Sequence, residues 1–551
     1  MKIEFKGEIS RNDLEKILTD RSIGRNFNMT INDLPEPSEI PGMKDAALFI
    51  IDAISKGKKG LLVGDYDCDG ICATTIFMDF LRELIDCGGI KLAYDNQIIY
   101  TIPDRFKDGY GVSKNIIDYA ISEDVSFIIT VDNGIGAFNA IEYANENNIK
   151  VIITDHHLPP ERVPNAEIIV NLKYDLGKFR FQEISGATIS WYLCCMIREV
   201  LDAPLNMGKW LDLVAITVIS DVMPLEDINL IFFKYGLNLI KNKHRNIYGK
   251  IFSDFELQTL DETNIGFKLV PMINAVGRLS NAKKAVSILL SREETEIRKG
   301  VEYFIDTNNK RKQITQQLLD LIMDEAIEQN SLNNKAIIIK RDGLHEGIVG
   351  ILAGKIAETF SRPAFVFSWN RASNCWKGSG RTAGTIHLYE LIESGAEHAL
   401  GFGGHAGAVG VAIPEDKFDL WKDSIVKASS FLDTSKFRLD TEKPFNVILS
   451  EIDNEFIDML EKFKPFGMGF PMPLFKTKAW LSVLDNYKNG LHWKTSLSLK
   501  NGTVFTSFFF HDKTIVSYDK KEVLLNFTPK RVFSNKGYEI ELHSTIPYDY
   551  K

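Results

Sequence analysis

Three aspartates occupy alternate positions in the segment GDYDCDG, residues 64–70, directly after a short apolar run. Asp65, Asp67 and Asp69 bring three like charges close together, and such charges repel one another. A bound divalent cation would cancel the repulsion, because carboxylate oxygens are ligands that such ions accept. Acidic runs of this kind also occur in solvated loops and calcium sites. A calcium-binding EF-hand loop is disfavoured, because its twelfth position would be Ile76 rather than glutamate.

Two further segments place acidic and histidine residues after short apolar runs. Asp132 follows FIITV in the segment TVDNG, and Asp155, His156 and His157 follow KVIIT in the segment TDHH. Such runs alternate with helical stretches over residues 61–200, which predicts a parallel β-sheet covered by helices on both faces. Functional groups in such sheets gather beyond the carboxyl ends of the strands. We therefore expect these side chains to meet at one edge of the sheet.

Asp221, in the segment VISDVMPL after an apolar helix, is a fourth candidate for the same cluster. Carboxylates and imidazoles without thiolates suit Mg²⁺ or Mn²⁺, and the imidazole favours Mn²⁺. Four or more acids around one point can hold two divalent ions, about 3.5–4 Å apart, with one carboxylate bridging them. Such a pair activates water and stabilises an in-line displacement at phosphorus. The combination of segments predicts a two-metal centre for phosphoester chemistry.

The composition limits the classes of protein to which the chain can belong. Its 551 residues exceed what one core holds, so about three or four domains are expected. The net charge of −9 argues against a uniformly basic nucleic-acid coat but leaves room for a local basic groove. No signal-like or membrane-spanning apolar run occurs, so we expect a cytoplasmic protein that does not bind membranes. None of the cysteines forms a CxxC pair, which disfavours zinc.

The sequence from residue 305 onward predicts three further parts. A helical stripe of apolar residues over 305–330 predicts a long amphipathic helix. A second α/β unit is expected from the strand AIIIK, residues 336–340, onward. From Ala479 the apolar runs are short and β-rich, which predicts a small antiparallel unit.

The four acidic segments resemble the motifs of the DHH phosphoesterase superfamily, in the arrangement of the RecJ single-strand exonuclease family. Similarity to RecJ segments extends to IPDRFKDGYG and PMINAVGRLSNA. The accessory DHHA1 domain is resembled by three segments, HEGIVGILAGKIAE, GSGRT and GFGGHAGAVG. The segment that precedes the OB-fold is resembled by FKPFGMGFPMPLF. The resemblance covers nearly the whole chain. It implies an α/β protein with a parallel-sheet DHH domain (1–225), a helical connector containing the long helix (226–332), a smaller α/β DHHA1 domain (333–435) and an OB-like β-barrel (436–551).

The resemblance also implies a role for each residue of the acidic segments. Two ions, Mn²⁺ or Mg²⁺, would be held with Asp132 as the bridge, and His157 would lie beside the scissile phosphate. Asp65 is expected either as a further ligand or as a residue that orients the loop at the strand end, and Asp155 as a residue that fixes a histidine tautomer. The implied metal ligands are Asp67, Asp69, Asp132, His156 and Asp221.

Three glycine-rich segments, two of which contain an arginine, are expected to bind the phosphates of the substrate. Arg278 lies in NAVGRLSNA, Ser379 and Arg381 lie in GSGRT, and His405 lies in GGHAGAVG. Arginine presents a planar fork of donors to phosphate, and glycine lets the backbone approach it. The resemblance assigns the 5′-phosphate end of a strand to Arg278 and to Arg105, in IPDRFKDGYG.

The last unit contains aromatic residues that could stack bases, with Trp480 and Trp493 as candidates. At least half of its aromatic residues are expected to form the core instead.

The function implied by the resemblance is a metal-dependent 5′→3′ exonuclease acting on single-stranded DNA in repair, recombination and replication. Such an enzyme would act as a monomer, with a single-strand-binding protein or a helicase as partner. One alternative is a phosphodiesterase for short oligonucleotides or cyclic dinucleotides, but those enzymes are typically shorter and lack the connecting helix and the terminal β unit. The other alternative is a non-catalytic single-strand-binding scaffold, which would not need the aspartate cluster.

Overall fold

The computed structural model describes residues 8–22, 25, 29–109, 111–437, 444–487, 492–498, 504–510, 514–534 and 537–548. These residues form two compact units. The first contains the described residues from Thr30 to Phe437 except Pro224–Leu230; the second contains Pro224–Leu230 and the described residues up to Met29 and from Pro444 onward.

Helices account for much of the first unit and only a little of the second. Among the described residues, no helix combines the length and the apolar character that a membrane span requires. A π-helix, Ile265–Leu269, directly precedes α12. The α-helices are α1 (Arg11–Arg21), α2 (Met43–Ser55), α3 (Cys68–Asp86), α4 (Lys114–Ser122), α5 (Phe138–Glu146), α6 (Gly186–Val200), α7 (Leu211–Ser220), α8 (Asp227–Lys241), α9 (Tyr248–Ile251), α10 (Asp254–Gln258), α11 (Glu262–Asn264), α12 (Val270–Leu279), α13 (Lys283–Leu289), α14 (Glu294–Ser331), α15 (Val349–Phe360), α16 (Leu388–Glu393), α17 (Phe418–Ser430) and α18 (Asn454–Glu461).

The first sheet is parallel throughout and has the order β2-β1-β3-β4-β5. Its three central strands are almost completely buried, which explains their uninterrupted apolar runs. Helices α4 and α5 cover one face through a shared apolar core, and α3 and α6 lie on the other face. The predicted parallel sheet is confirmed. Its strands are β1 (Gly60–Val63), β2 (Ile98–Thr101), β3 (Phe127–Val131), β4 (Lys150–Thr154) and β5 (Ile168–Val170).

Helix α3 begins immediately beyond the end of β1, which places the first acidic segment in a tight strand-to-helix turn. The carboxylate of Asp67 accepts the backbone N–H groups of Asp69 and Gly70 at 3.0 and 3.1 Å. This N-cap satisfies donors that the first helical turn leaves free. The helix therefore starts at Cys68 and not at Ala73, where the apolar pattern alone begins.

The second sheet belongs to the same unit and is mixed, with the order β6-β7-β8-β10-β9. Strands β6 and β7 are parallel, and the remaining pairs are antiparallel. The long helix α14 leads into it and extends eleven residues further toward the amino terminus than its apolar stripe predicted. Apolar cores lie on both faces of the sheet. Its strands are β6 (Ile337–Lys340), β7 (Ala364–Asn370), β8 (Cys375–Arg381), β9 (Gly401–Gly404) and β10 (Ala408–Ile413).

The second unit contains a sheet whose strand pairings form a ring. β12 pairs with both β13 and β15, β13 pairs with β14, and β14 pairs with β16, which pairs with β15. The predicted unit is present, but it is not wholly antiparallel, because β14 and β16 run parallel. Its strands are β11 (Phe445–Asn446), β12 (Phe475–Tyr487), β13 (His492–Ser498), β14 (Val504–Phe510), β15 (Lys521–Ser534) and β16 (Gly537–Tyr548).

Helix α1 packs into this second unit, although it lies near the other end of the sequence. Leu14 and Leu18 are buried in one apolar core with Phe475. The guanidinium of Arg11 donates hydrogen bonds to Asp453 at 2.7 and 2.8 Å and to Glu455 at 2.5 Å. The unit is therefore built from segments that are far apart in the sequence.

Candidate active site

The acidic and histidine residues predicted to converge do lie together at the carboxyl edge of the first sheet. The Nε2 atom of His156 is 3.2 Å from Asp132 Oδ1 and 3.3 Å from Asp221 Oδ2. It is also 3.7 Å from Asp69 Oδ2. Asp221 reaches the cluster from the carboxyl end of α7. Strands β1, β3 and β4 and one helix thus bring four segments of the sequence to one point.

Three groups of these side chains have ligand atoms close enough to surround a metal ion. In each group, one ligand atom from every residue lies within 4.8 Å of the others. Asp132 belongs to one group with Asp65 and Asp67 and to another with His156, which is the position that a bridging carboxylate needs. The groups are Asp65, Asp67 and Asp132; Asp69, His156 and Asp221; and Asp132, His156 and His157.

The electrostatics of this acid–histidine cluster indicate a site for cations. Burial and the neighbouring carboxylates raise the pKa values of Asp65, Asp69 and Asp132 well above their usual range. Burial and the charge of Asp67 raise the pKa of Asp221 to about 6. Asp132 Oδ1 and both ring nitrogens of His156 are buried, and no described residue hydrogen bonds to them. A divalent cation would satisfy Asp132 Oδ1 and His156 Nε2, which lie 3.2 Å apart, and would reduce the repulsion, so the donor set fits Mn²⁺ or Mg²⁺.

Backbone groups of α6 hold the cluster in place. The N–H groups of Gly186 and Ala187 donate to the two carboxylate oxygens of Asp69, at 2.6 and 2.9 Å. Gly186 has to be glycine, because a Cβ there would lie 2.5 Å from Asp132 Oδ1. Asp132 itself has a left-handed backbone with φ of 66°, which is unfavourable for a non-glycine residue. The sequence carried no signal for these backbone donors.

His157 is oriented by Asp155, which is the role that the sequence suggested for this carboxylate. Asp155 Oδ1 is 2.7 Å from His157 Nδ1, and Asp155 also accepts the backbone N–H groups of Ile135, His156 and His157. Burial opposes both charges, but the pair overcomes it, lowering the pKa of Asp155 to about 2 and raising that of His157 to about 9. The ring of His405 stacks on His157 with centroids 5.7 Å apart.

Three predicted arginines, with Ser379, form a second cluster beside the first. Arg105 Nε donates to the carbonyl oxygen of Gly277 at 3.3 Å, and Arg278 Nη1 donates to that of Gly347 at 3.3 Å. Arg381 Nη1 donates to Ser379 Oγ at 2.7 Å. These bonds fix the guanidinium groups, and no carboxylate of the described residues forms an ion pair with them. We call Arg105, Arg278, Arg381 and Ser379 the arginine cluster.

The positive charges of the arginine cluster act on one another. Burial and the charges of Arg105, Arg381 and Arg311 lower the pKa of Arg278 to about 9. An anion bound between these groups would relieve the repulsion. The sequence analysis missed Arg311, which lies on α14 with its guanidinium bonded to Asn308 Oδ1 at 2.6 Å.

An aromatic ring joins the two clusters. Tyr66 stands between two aspartates of the first segment, and the Cζ atom of Arg105 lies 3.8 Å from the centroid of its ring. A guanidinium over an aromatic face is attracted by the ring's quadrupole. The sequence analysis also missed Tyr66, although it lies within the segment that the aspartates mark.

The two tryptophans proposed for base stacking differ in accessibility. Trp480 lies on β12 and is 49% exposed. Trp493 is half-buried against the apolar core of the second unit, and its indole N–H is buried. Packing therefore leaves Trp480 as the better candidate, because much of the Trp493 ring is covered by the core.

Three regions of the chain match known domain families, and most of the chain matches known proteins. Residues 59–218 match the DHH family, N-terminal domain; residues 333–428 match the DHHA1 domain; and residues 445–543 match the RecJ OB domain. The single-stranded-DNA-specific exonuclease RecJ of Salmonella typhimurium is 30% identical over 485 residues, which cover 84% of this chain and 82% of that protein. The chain belongs to the RecJ family.

Other RecJ proteins agree with this assignment. The Escherichia coli protein is 31% identical, with 79% of this chain and 78% of that protein covered. The Bacillus subtilis protein is 32% identical, but the match covers 80% of this chain and only 54% of that protein. The chain thus spans about half the length of that relative.

Solved RecJ structures share the fold. The structure of Thermus thermophilus RecJ in complex with Mn²⁺ matches with a TM-score of 0.76 at 24% identity, covering 93% of this chain and 72% of that one. A structure of exonuclease RecJ bound to manganese matches with a TM-score of 0.60 at 27% identity, covering 73% of this chain and 96% of that one. The α/β fold with DHH, DHHA1 and OB domains is confirmed by these matches.

Proposed function

We propose that this RecJ-family chain hydrolyses the phosphodiester bonds of single-stranded DNA from the 5′ end, in repair, recombination or replication. One observation carries the proposal: Tyr66, which lies between Asp65 and Asp67, contacts Arg105. A cation site and an anion site are therefore adjacent. Adjacent sites can hold a terminal phosphate on the arginines while the next phosphodiester bond lies on the acid–histidine cluster.

Two divalent ions, Mn²⁺ or Mg²⁺, would be held by the ligand residues predicted from the sequence, with Asp132 between them and Asp65 as a further candidate. Bound there, the ions would activate a water molecule and stabilise the charge that develops at phosphorus. Asp155 holds the His157 imidazolium beside the cluster, with its Nδ1 atom 4.0 Å from Asp132 Oδ1, where its charge can stabilise a non-bridging phosphate oxygen. His405, stacked on His157, restricts the ring further.

The arginine cluster would decide which end of a strand is used. Guanidinium groups bind a terminal phosphate, which carries more charge than an internucleotide phosphate. A strand anchored in this way presents its first internal phosphodiester to the acid–histidine cluster. Removal of mononucleotides from the 5′ end follows from this arrangement.

Digestion of single strands labelled at the 5′ or the 3′ end tests the proposed direction. With Mn²⁺ or Mg²⁺, the 5′ label is expected to appear first as a mononucleotide, and EDTA is expected to stop the reaction. Early release of a 3′-terminal mononucleotide would contradict the assignment of the arginine cluster to the 5′ end.

The choice of metal ion gives one prediction. We expect Mn²⁺ to support faster hydrolysis than Mg²⁺, because His156 contributes a nitrogen ligand that Mg²⁺ accepts poorly. Ca²⁺ is expected to support little activity, because it prefers longer bonds and more ligands. Initial rates at saturating concentrations of each ion provide the measurement. Equal rates with Ca²⁺ and Mn²⁺ would exclude a tight two-ion site.

Tyr66 gives a second prediction, as a residue that positions Arg105. We expect Tyr66→Leu to reduce the preference for 5′-phosphorylated over 5′-hydroxyl strands about 2- to 30-fold, the range of a cation–π contact. Tyr66→Phe keeps the aromatic face and should retain the preference. The measurement is kcat/KM on both strands. An equal loss on the two strands in Tyr66→Leu would show a general effect on the metal site instead.

Trp480 gives a third prediction, concerning longer strands. We expect Trp480→Ala to weaken the binding of long strands about 5- to 150-fold, the value of one stacked base, and to leave trinucleotide cleavage unchanged. Leu484→Ala, at an exposed position of the same strand β12, is the control. A point substitution is preferable to removal of the unit from Phe475 onward, because Phe475 shares an apolar core with α1. A loss that is equal on long and short substrates would refute the stacking role.

The remaining parts of the proposal concern partners and place of action. A single-strand-binding protein or a helicase would supply the single strands on which the chain acts. The chain would act as a monomer, because the residues of both candidate clusters come from one polypeptide. Its place of action would be the cytoplasm.

A further inference from the structure

Two half-buried aromatic rings lie directly beside the arginine cluster. Phe106 follows Arg105 in the chain, and His345 lies two residues before Gly347, whose carbonyl oxygen accepts from Arg278. The ring centroids of Phe106 and His345 are 5.6 Å apart, with the ring planes at 83° in an edge-to-face arrangement. The pair therefore lies next to two of the groups that would bind a terminal phosphate.

Local hydrogen bonds fix the backbone at Phe106 and the ring of His345. Asp104 Oδ1 accepts the N–H of Phe106 at 2.9 Å, and Asp108 Oδ2 accepts the N–H of Asp104 at 2.8 Å. His345 Nδ1 accepts the N–H of Gly347 at 3.2 Å, which leaves the ring proton on Nε2. Burial lowers the pKa of His345, so this ring is neutral near pH 7. Fixed, uncharged rings are suited to stacking because they lose little entropy on binding.

Phe106 is half-buried and is not part of a fully buried core. The residue lies outside the apolar cores on the two faces of the second sheet and outside the core beneath α4 and α5. In the proposed function, the arginine cluster holds the terminal phosphate and the acid–histidine cluster takes the next phosphodiester, so neither cluster contacts the base of the first nucleotide. An aromatic surface next to a phosphate site is what a base needs.

We propose that Phe106 and His345 form a nucleobase-binding site, which stacks the base of the 5′-terminal nucleotide while the arginine cluster holds its phosphate. This inference rests on the proposed function and adds a third contact to the substrate. Any of the four bases would bind, because every base has an aromatic face. Stacking at this position would favour an intact terminal nucleotide over one that has lost its base.

Two 5′-phosphorylated single strands that differ only in the first nucleotide test the site. One begins with thymidine and the other with the tetrahydrofuran abasic analogue, and kcat/KM is measured for both. We expect the wild-type protein to prefer thymidine about 5- to 150-fold. Phe106→Ala and Phe106→Leu should lose most of this preference, and Phe106→Tyr should keep it. Phe431→Ala, at a position that is 82% exposed on the end of α17, is the control and should behave as wild type.

Each other outcome is also decisive. A wild-type protein that cleaves both strands equally from the 5′ end would overturn the base site and leave the proposed function intact. If kcat/KM falls equally on both strands in Phe106→Ala and Phe106→Leu, the ring pair serves only in packing and the inference is overturned. If Phe106→Ala does not fold, Phe106→Leu and the wild-type comparison still decide. Failure of the wild-type protein to digest either strand from the 5′ end would refute the proposed function itself.

Discussion

Asp132→Asn is expected to lower kcat about 10³-fold or more, because it removes the carboxylate that two of the ligand groups share. The same change is expected to raise the melting temperature of the ion-free protein. The pKa of Asp132 is raised by burial and by its neighbours, so its ionised form opposes folding near pH 7. Asparagine has the same shape without the charge. Activity with Mn²⁺ and thermal unfolding in EDTA are the two measurements.

Addition of Mn²⁺ should make the wild-type protein, and not Asp132→Asn, the one with the higher melting temperature. The wild-type protein is expected to gain more in melting temperature from Mn²⁺ than Asp132→Asn does, because a ligand that binds the folded state stabilises it. Asp118→Asn is the matched control, since Asp118 pairs with Lys114 on the surface at 2.9 Å and lies outside the cluster. Activity of Asp132→Asn within about tenfold of wild type, with an unchanged circular dichroism spectrum, would remove Asp132 from the metal site.

Arg278→Ala is expected to reduce kcat/KM on 5′-phosphorylated strands about 30- to 3,000-fold, the cost of losing one member of a buried charge pair. The loss on 5′-hydroxyl strands should be smaller, because the terminal phosphate is then absent. Binding should also become less dependent on salt, by about one phosphate contact. Arg278 has this importance because burial and the like charges around its guanidinium lower its pKa, and a bound anion would offset that repulsion.

Arg371→Ala provides the control for Arg278. Arg371 is an arginine of the same unit whose side chain is 87% exposed, so its removal should affect both strands little. An identical loss on the two strands in Arg278→Ala would remove the role in end recognition, although general binding of the backbone would remain. The wild-type preference for 5′-phosphorylated strands is the reference for both variants.

The parts of the fold that the sequence predicts are those with a strong local pattern. β1, β3 and β4 are buried on both faces, so each appears as an unbroken apolar run that ends in acidic residues. β2 and β5 were not predicted, because they are short edge strands with half-buried residues. The place of α1 was also missed, since its three buried residues say nothing about a core whose other members are hundreds of residues away.

In the candidate site, too, some residues are predictable from the sequence and others are not. The convergence of side chains such as Asp132 and His156 is predictable, because their residue types and strand-end positions place them at one edge of the sheet. The backbone donors of Gly186 and Ala187 are not, because an N–H group has no sequence signature. Arg311 was missed because one arginine on the polar side of a long helix looks like any solvated charge.

The packing of α1 also fixes an order of folding during synthesis. Arg11 and its partner Glu455 are 444 residues apart, which a ribosome adding about 5–20 residues per second covers in roughly 20–90 s. Every residue of the first sheet and of the acid–histidine cluster is made within that interval. The apolar face of α1 has no core to join until the far end of the chain emerges. Newly made chains would therefore expose the buried face of α1 until the residues of that core have been made.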